Sequence, residues 1–551
     1  MIKALSTNTV FYLFILIGIC LRFFQFGDIP TGLHGDEASI GYEAFSLLNT
    51  GADRWGYKLP AYFLSWGSGQ NTLYGYLSIP FVYLFGLNEF SVRILSGLLG
   101  ILCVPMAYKF SILVFKSENM ARLAAVLYIF DPFLFMTSRW GDEFNIVPFF
   151  VLLFLLLLVQ SFLFIEEKKS LNLKEKAIIV GVFPAMVLLF YAYAPSLFIV
   201  PLFLLICLIV YWPFFWQKIQ LFLISGLAGL LILSPFILFI LKNNILKKDF
   251  SFEKSLPFSL PIMLSPRERI FIGFSENLAI IKQNLFFALS GFIDLYVWVY
   301  NTTHFRQSHY FLIFLLPALI FLFIKFRKNR LRLSNIALIW AIASFSIFFL
   351  YHVNLNRSLH FQTIVPVLVA FGMVSIYEKI EESRFKKIAL ISFLSLFIFQ
   401  AGSFFAEYFI KYPHYSNFPK DVKWALEVAN KNKKETEKIA ISKELVFNYL
   451  YAAFYSKFDP NTFQKTVVTD KTTGNVIVQS FGNYTMLGDV VNIPKTDNYL
   501  VINQLKSENS FLAILHTNEK VPHFTSFTEQ VIAKDINHEW RVVRFVNKLK
   551  K

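Results

Sequence analysis

Apolar residues in this sequence are gathered into long continuous runs and do not alternate with polar ones. A helix that crosses a bilayer needs about twenty mostly apolar residues. The runs of this kind, several of which extend a turn past their limits, predict about eleven transmembrane helices. They are Val10–Phe26, Ile94–Phe115, Leu123–Thr137, Phe144–Ile165, Ala177–Tyr193, Ser196–Tyr211, Leu221–Leu241, Tyr310–Ile324, Ile336–Tyr351, Ile364–Tyr377 and Ile388–Phe405.

Two weaker runs, Leu73–Gly86 and Leu285–Tyr300, are typical in length of interfacial or re-entrant segments. The basic residues test this interpretation for the first run. If Leu73–Gly86 does not span, nearly all Lys and Arg residues of the short loops fall on one side, and the other side has only Arg139 and Arg357. By the positive-inside rule the basic side is cytoplasmic. The sequence therefore predicts a multi-pass protein of the cell membrane with a cytoplasmic N-terminus.

Composition agrees with this topology and excludes a purely soluble enzyme. Hydrophobic residues make up 56% of the chain and charged residues 16%, whereas globular proteins average about 45–50% and 25%. The formal charge of +16 is explained by the inner loops, so nucleic-acid binding is not predicted. The three cysteines lie in apolar runs, which argues against a disulfide framework or a cysteine metal site.

The polar segments define the rest of the organisation. Outer loops are predicted at about residues 27–93 and 242–309, within an all-α polytopic domain of residues 1–405. Residues 406–551 are predicted to form a small extracytoplasmic soluble α/β domain. That domain has helical spacing at Asp421–Lys431 and short strand-like runs at Ile439–Ile441, Val476–Val478, Tyr499–Ile502 and Val542–Val546.

The first outer loop contains His34-Gly35-Asp36-Glu37 immediately before an amphipathic stretch. One interpretation is a helix N-terminus with two solvated carboxylates, which the helix dipole favours. The other is a general base at the membrane surface, where partial desolvation raises the pKa of a carboxyl group. The residues alone leave both open.

A second polar cluster, Ser138–Asn145, forms a tight outer connection that contains Arg139, Glu143 and Asn145. A guanidinium at this place matches a phosphate group in a bidentate way, or extends to lipid headgroups. Asp131 lies about two helical turns deeper, before a proline.

A third cluster runs from His352 to His360 and contains Arg357. The two histidines without a carboxylate partner are a weak indication of a metal site. The second long outer loop adds Arg306 among other polar residues. A hydrated loop that borders lipid headgroups is the alternative for most of these positions.

Taken in order, these features resemble the GT-C integral-membrane glycosyltransferases, in the group of the protein O-mannosyltransferases and aminoarabinose transferases. The chain is most similar to the bacterial dolichyl-phosphate-mannose-protein mannosyltransferase-like branch. The resemblance rests on Gly35-Asp36-Glu37, on Leu-Phe-Gly-Leu-Asn-Glu-Phe-Ser-Val-Arg ending at Arg93, and on the turn Ser138-Arg139. It covers about residues 5–405, is strongest over 30–145 and does not extend to the tail.

The resemblance implies an inverting transferase that moves a sugar from a polyprenyl-phosphate carrier to an extracytoplasmic protein, lipid or glycan. It implies that Asp36 is the catalytic carboxylate, with Glu37 beside it. A base is needed to deprotonate the acceptor hydroxyl, and cations stabilise the departing phosphate. The candidates for phosphate binding are Arg139, Arg357, Arg306 and Lys58, and those for orienting substrate are His34, Glu143, Asn145 and Gln70.

One departure from the family pattern concerns the carrier phosphate. Many relatives have Lys-Pro-Pro where this chain has Gln70-Asn71-Thr72, so either another cation binds the carrier phosphate here or the donor differs. No cofactor is predicted with certainty, but paired acids such as Asp36 and Glu37 can bind a divalent cation. Two alternatives stay open: a flippase for lipid-linked glycans that performs no covalent chemistry, and a polymerase or ligase acting on glycan chains.

Overall fold

The structure is a computed structural model, and it describes most of the membrane domain and parts of the tail. The described residues are 7–65, 69–264, 281–282, 284, 295–296, 306–307, 313–349, 356–415, 422–423, 426–427, 430, 438–442, 447–471, 476–487, 499–506, 527–534 and 538–545. The predicted run Leu285–Tyr300 lies almost entirely outside them.

These residues belong to two compact units. The first contains residues 1–29, 93–238 and 268–417, and the second contains residues 30–92, 239–267 and 418–551. The second unit thus groups most of the first outer loop with the C-terminal tail. The division of the chain into residues 1–405 and 406–551 stays a prediction.

The first unit is helical. Its helices, of which the second and the ninth extend a few residues into the other unit, are Thr7–Phe23, Glu89–Phe115, Glu118–Phe130, Pro132–Thr137, Val147–Glu167, Leu173–Val180, Val182–Ala192, Ser196–Gln217, Ile219–Ile240, Leu315–Lys328, Ser334–Phe345, Leu359–Gln362, Val365–Lys379, Ser383–Ala406 and Tyr412–Tyr415. Long apolar sequences with side chains buried against neighbouring helices account for this architecture, because a bilayer requires backbone polar groups to be satisfied within the segment.

Within the described residues, 6 helical segments are long and apolar enough to cross a membrane, and one bent helix pair, Asn356–Gln362 with Val365–Lys379, makes up to 7. Shorter apolar helices include Asn8–Phe23 and Ser334–Phe349. The prediction of a polytopic α-helical membrane domain is confirmed. The number of about eleven spans stays a prediction.

Two of the apolar runs form helices that are shorter than a membrane span. The run Leu123–Thr137 was expected as one span, but its helix breaks at Asp131, whose carboxylate accepts the Leu134 N–H (2.9 Å) and caps the short helix that begins at Pro132. Proline lacks the N–H of a helix interior, which explains the break. The weak run Leu73–Gly86 is a 13-residue helix, Leu73–Phe85, shorter than a membrane span.

The second unit combines helices with a sheet. Its helices are Gly35–Thr50, Leu73–Phe85, Asn448–Tyr455 and Pro460–Thr466. The strands are β3 (Lys438–Ser442), β4 (Val468–Asp470), β5 (Ile477–Phe481), β6 (Tyr484–Leu487), β7 (Tyr499–Lys506), β8 (Phe527–Lys534) and β9 (His538–Phe545); the first unit contains the two-residue pair β1 (Leu295–Tyr296) and β2 (Arg306–Gln307).

Strands β3 to β9 form a mixed 7-stranded sheet in the order β4-β5-β6-β3-β7-β9-β8. The central strand β3 is parallel to β6 and β7, and the outer pairings are antiparallel. The strands predicted near residues 439, 476, 499 and 542 are therefore confirmed, together with the α/β class of the tail. Described positions between 421 and 431 are helical as predicted.

One hydrophobic core in the second unit joins the first outer loop to the tail. The Gly35–Thr50 helix contributes Ala38 and Tyr42 to it, and the tail contributes Leu450, Phe454 and strand residues. Burial of apolar side chains stabilises such a core by about 25 cal/mol per Å² of surface removed from water. The apolar face of the Gly35–Thr50 helix is thus covered by protein.

Candidate functional site

The Gly35–Thr50 helix begins with a capping box built from the predicted site residues. His34 Nδ1 accepts the Asp36 N–H (3.2 Å), and Glu37 Oε2 accepts the His34 N–H (2.9 Å). Such reciprocal bonds satisfy N–H groups that have no partner within the helix. Glu37 is 1% exposed, so the expectation of two solvated carboxylates is wrong for this residue. The carboxylate of Glu37 instead caps the N-terminus of the helix.

Asp36 occupies the first turn of the same helix but retains access to solvent. Its side chain is 23% exposed, and its Oδ2 lies 3.4 Å from His34 Nδ1. Because Nδ1 accepts the Asp36 N–H, neutral His34 carries its ring hydrogen on Nε2. The dipole of the helix favours negative charge at this end. Asp36 is therefore an ionisable, partly accessible carboxylate with a defined neighbour.

Further along the same helix, Glu43 forms a buried ion pair with Arg54, which the sequence did not reveal. Arg54 and Glu43 are both 0% exposed, with Arg54 Nε 3.3 Å from Glu43 Oε1. The Arg54 backbone N–H also donates to Glu43 Oε2 (2.8 Å). Burial raises the pKa of the Glu43 carboxyl, and the adjacent guanidinium opposes that rise. The pair ties the middle of the helix to the loop that follows it.

The Arg54 guanidinium extends this network toward Gln70. It donates to Ser39 Oγ (2.8 Å), and Ser39 Oγ donates to Gln70 Oε1 (3.1 Å). A second nitrogen donates to Ser65 Oγ (3.2 Å). Gln70 is 4% exposed, and its backbone pairs with Phe63. Gln70 thus belongs to the network that holds Ser39. Ser39 lies about one helical turn after Asp36.

Asp53 adds a second buried carboxyl group to the network. Its Oδ1 accepts the N–H groups of Trp55 and Tyr57, both at 2.9 Å, while Oδ2 has no hydrogen-bond partner among the described residues. Burial, and then the charge of Glu43, hold the pKa of Asp53 well above its usual range. Asp53 therefore retains its proton more readily than an exposed aspartate does.

Lys58, a predicted phosphate ligand, is exposed at the end of the same loop. Its carbonyl accepts the Ser259 N–H (3.0 Å), and the Ala61 N–H donates to the Ser259 carbonyl (3.0 Å). The buried ammonium of Lys242 instead bonds to Glu253 (2.6 Å) and is 3.0 Å from Asp249. Of these two lysines, Lys58 has the ammonium available at the surface.

Arg139, in the first unit, is placed differently from the expectation. It is 0% exposed, and its guanidinium donates to the carbonyls of Arg22 (2.6 Å), Gln25 (2.9 Å) and Ile29 (3.2 Å) and to the Tyr408 hydroxyl (3.1 Å). The guanidinium of Arg139 is therefore buried, whereas the sequence analysis expected it to be exposed. Arg139 instead satisfies carbonyls of the last turn of the Thr7–Phe23 helix and of the segment after it, a structural use of its fork of donors.

The other predicted site residues of the first unit are Asn145, Glu143, Arg357 and Arg306. Asn145 donates to the Trp140 carbonyl (3.0 Å), and Glu143 is buried in a 3-10 turn. Arg357 is half-buried in the 3-10 turn Asn356–Ser358. Arg306 is described only as part of β2, where it pairs with Tyr296.

The histidine pair considered for a metal is only partly described. His352 lies outside the described residues. His360 is fully buried, and its Nε2 is 2.7 Å from Ser196 Oγ. This contact gives His360 a partner within the helical packing.

The comparisons with known proteins agree with this architecture. The sequence model of the family named dolichyl-phosphate-mannose-protein mannosyltransferase matches residues 54–249. No curated protein sequence matches the chain.

Two groups of solved structures have a similar fold. ArnT from Cupriavidus metallidurans bound to undecaprenyl phosphate has a TM-score of 0.60 and 12% identity, over 99% of this chain and 100% of that one. The archaeal oligosaccharyltransferase AglB from Archaeoglobus fulgidus, in complex with an inhibitory peptide and a dolichol-phosphate, has a TM-score of 0.53 and 13% identity, over 82% of this chain and 64% of that one. The chain thus has the GT-C glycosyltransferase fold, as the sequence resemblance predicted.

Proposed function

We propose that this protein is an inverting glycosyltransferase that moves a sugar from a polyprenyl-phosphate carrier to an extracytoplasmic acceptor. The observation that carries the proposal is Asp36, a partly accessible carboxylate at the start of a buried helix, in a chain with this fold. The mannosyltransferase family match over residues 54–249 and the lipid phosphate bound to ArnT support the choice of donor.

In the proposed reaction, Asp36 accepts the proton of the acceptor hydroxyl as that oxygen attacks the anomeric carbon of the sugar. The new carbon–oxygen bond forms on the face opposite the phosphate. The bond between the anomeric carbon and the phosphate oxygen breaks, and the carrier phosphate leaves with the electron pair. His34 Nδ1 accepts the Asp36 N–H and so holds the backbone of Asp36 during this step, and Glu37 maintains the turn that presents the Asp36 carboxylate.

The leaving phosphate needs a cation near the site. Lys58, Arg357 and Arg306 stay candidates, whereas Arg139 does not, because its hydrogen bonds are used by backbone carbonyls and Tyr408. Gln70 orients substrate only indirectly in this proposal, through the Ser39 network.

The orientation follows from the charge distribution. The protein lies in the cell membrane with a cytoplasmic N-terminus, and the catalytic loops and the C-terminal domain are extracytoplasmic. The acceptor, whether glycan, lipid or protein, is met on that side.

Asp36→Asn tests the proposal. Purified protein in liposomes is given undecaprenyl phosphate that carries a tritiated sugar, from a panel that includes mannose, with membranes of a strain lacking the protein as acceptor. Loss of a general base is expected to reduce transfer by about 10²- to 10⁴-fold, with unchanged expression and membrane insertion. Metal dependence is measured in the same assay by chelation followed by Mg²⁺ or Zn²⁺.

Asp249→Asn is the matched control, because Asp249 is an exposed carboxylate of the second outer loop. It should transfer sugar at the wild-type rate. Full activity of Asp36→Asn would refute the assignment of the base. Label that crosses the liposome membrane but stays on its carrier would identify a flippase instead.

A further inference from the structure

The start of the Gly35–Thr50 helix is covered by an aromatic ring from the tail. A Cβ added at Gly35 would lie 2.2 Å from Cδ2 and 2.4 Å from Cγ of Phe447. These distances place the ring directly on the glycine, with no room for a side chain. The edge of the same ring faces His34, at 5.8 Å between centroids and an angle of 64°. Phe447 therefore contacts the two residues that precede Asp36.

A second aromatic residue of the tail holds the same segment. The Tyr451 hydroxyl donates to the Leu33 carbonyl (3.1 Å), and its ring is 6.5 Å from that of Phe447. The segment Leu33–Gly35 is thus fixed by a hydrogen bond at one end and by ring packing at the other. Two residues of the tail, one turn of helix apart, set where the turn containing Asp36 lies.

The backbone of Phe447 is strained in a way that this packing explains. Its φ is 65° and its ψ is 21°, which is the left-handed region. That conformation is unfavourable for a residue other than glycine, because its Cβ lies too close to the following carbonyl oxygen. Phe447 lies directly before the Asn448–Tyr455 helix, and its carbonyl accepts the N–H groups of Leu450 (3.0 Å) and Tyr451 (3.2 Å). These bonds to the first turn of the helix maintain the strained residue and its ring.

We infer that Phe447 is a positioning residue for the reaction: its ring, seated on Gly35 and against His34, fixes the turn that carries the Asp36 carboxylate. The inference rests on the proposed function and adds that the tail takes part in catalysis. The connection is short, because His34 Nδ1 accepts the Asp36 N–H (3.2 Å). Without the ring of Phe447, His34 would lose its support, and the backbone of Asp36 would be held less firmly.

Phe447→Leu tests the inference in the tritiated undecaprenyl-phosphate sugar assay. A misplacement of about 1 Å at a reacting group costs on the order of 10²-fold in rate. We expect kcat to fall by about ten- to a hundredfold, with KM for the lipid-linked donor unchanged. Phe447→Tyr keeps the ring and should restore kcat to near the wild-type value.

Phe454→Leu is the matched control. It removes the same kind of ring-on-glycine contact between the same two helices, but at Gly41, about 1.4 turns along the helix from Asp36. It should lower the melting temperature at least as much as Phe447→Leu and leave kcat unchanged. An equal loss of kcat in both variants would overturn the inference, since the effect would then be general.

Gly35→Ala supplies an independent test of the contact. The added Cβ overlaps the Phe447 ring, so this variant should lose kcat as Phe447→Leu does. The double variant should lose little more than either single variant, because both break the same contact. Losses that multiply would contradict the proposed connection.

The outcomes separate this inference from the proposed function. Wild-type kcat in Phe447→Leu together with an inactive Asp36→Asn overturns the role of Phe447 and leaves the transferase in place. An active Asp36→Asn removes the base itself, and the role of Phe447 with it.

Discussion

Two fully buried arginines, one in each unit, are stabilised by different partners. Arg139 donates its hydrogen bonds to backbone carbonyls and to the Tyr408 hydroxyl, all of them neutral. Arg54 contacts Glu43 and lies in a network that includes Asp53. Buried charge is costly in both cases, but only the second arrangement contains groups that exchange protons. The comparison predicts that the buried carboxyl groups around Arg54 make the stability of the second unit depend on pH.

Removing the charge of Arg54 is expected to have the largest effect on stability. Arg54→Met leaves Glu43 buried without its cation, which costs about 3–5 kcal/mol. A large fall in the melting temperature in detergent would show this. The double variant Glu43→Leu/Arg54→Met should recover most of the loss, because well-packed apolar residues often replace a buried pair without penalty. Failure of the second change to help would mean that the pair is not the cause.

Arg139→Met is expected to have a smaller effect. It removes the guanidinium that donates to the carbonyls of Arg22 and Ile29, and the cost is about 1–3 kcal/mol for a buried group left unsatisfied. The melting temperature should fall by the same amount at every pH between 5 and 9. The folded fraction should keep its KM for the lipid-linked donor. A raised KM with unchanged stability would restore the original prediction that Arg139 binds phosphate.

Asp53→Asn is expected to have the smallest effect on stability. The effect should be seen only when stability is measured as a function of pH. The raised pKa of Asp53 means that the native state binds more protons than the unfolded chain above the ordinary carboxyl value of 3.8. Unfolding free energy therefore falls as pH rises through the raised pKa. Asparagine retains the oxygen that accepts from Trp55 and Tyr57 and cannot lose a proton.

The Asp53→Asn variant should match the wild type below the ordinary carboxyl value of 3.8 and become increasingly more stable than it as pH rises toward the raised pKa. The gain should level off once Asp53 is ionised in the native state. Melting temperatures measured from pH 3 to 9 check this. Parallel curves for the two proteins would mean that Asp53 does not titrate in this range.

The sequence predicted those features that depend on local pattern. Apolar runs indicated the membrane helices, and Asp36 stood out because an acidic pair precedes an amphipathic stretch. Alternating short runs in the tail indicated strands such as β3 and β7.

Features that depend on distant contacts were not predicted. Arg139 was expected at a phosphate because its loop is short and polar, but Tyr408, which accepts one of its hydrogen bonds, is 269 residues away. Arg54 and Glu43 are separated by 11 residues and meet only because the chain turns back after Gly51, whose φ of 69° ends the helix. Phe447 had no sequence pattern to mark it.

The shared core of the second unit imposes a delay on biosynthesis. Leu33 and Tyr451 are 418 residues apart, and ribosomes add about 5–20 residues per second, so the first outer loop waits about 20 to 80 s for its partner. During that time the apolar face of the Gly35–Thr50 helix is without the tail residues that cover it in the folded protein. The second unit can thus complete its core only after the tail is synthesised, and a chain that stopped early would leave Asp36 at the start of a helix without that support.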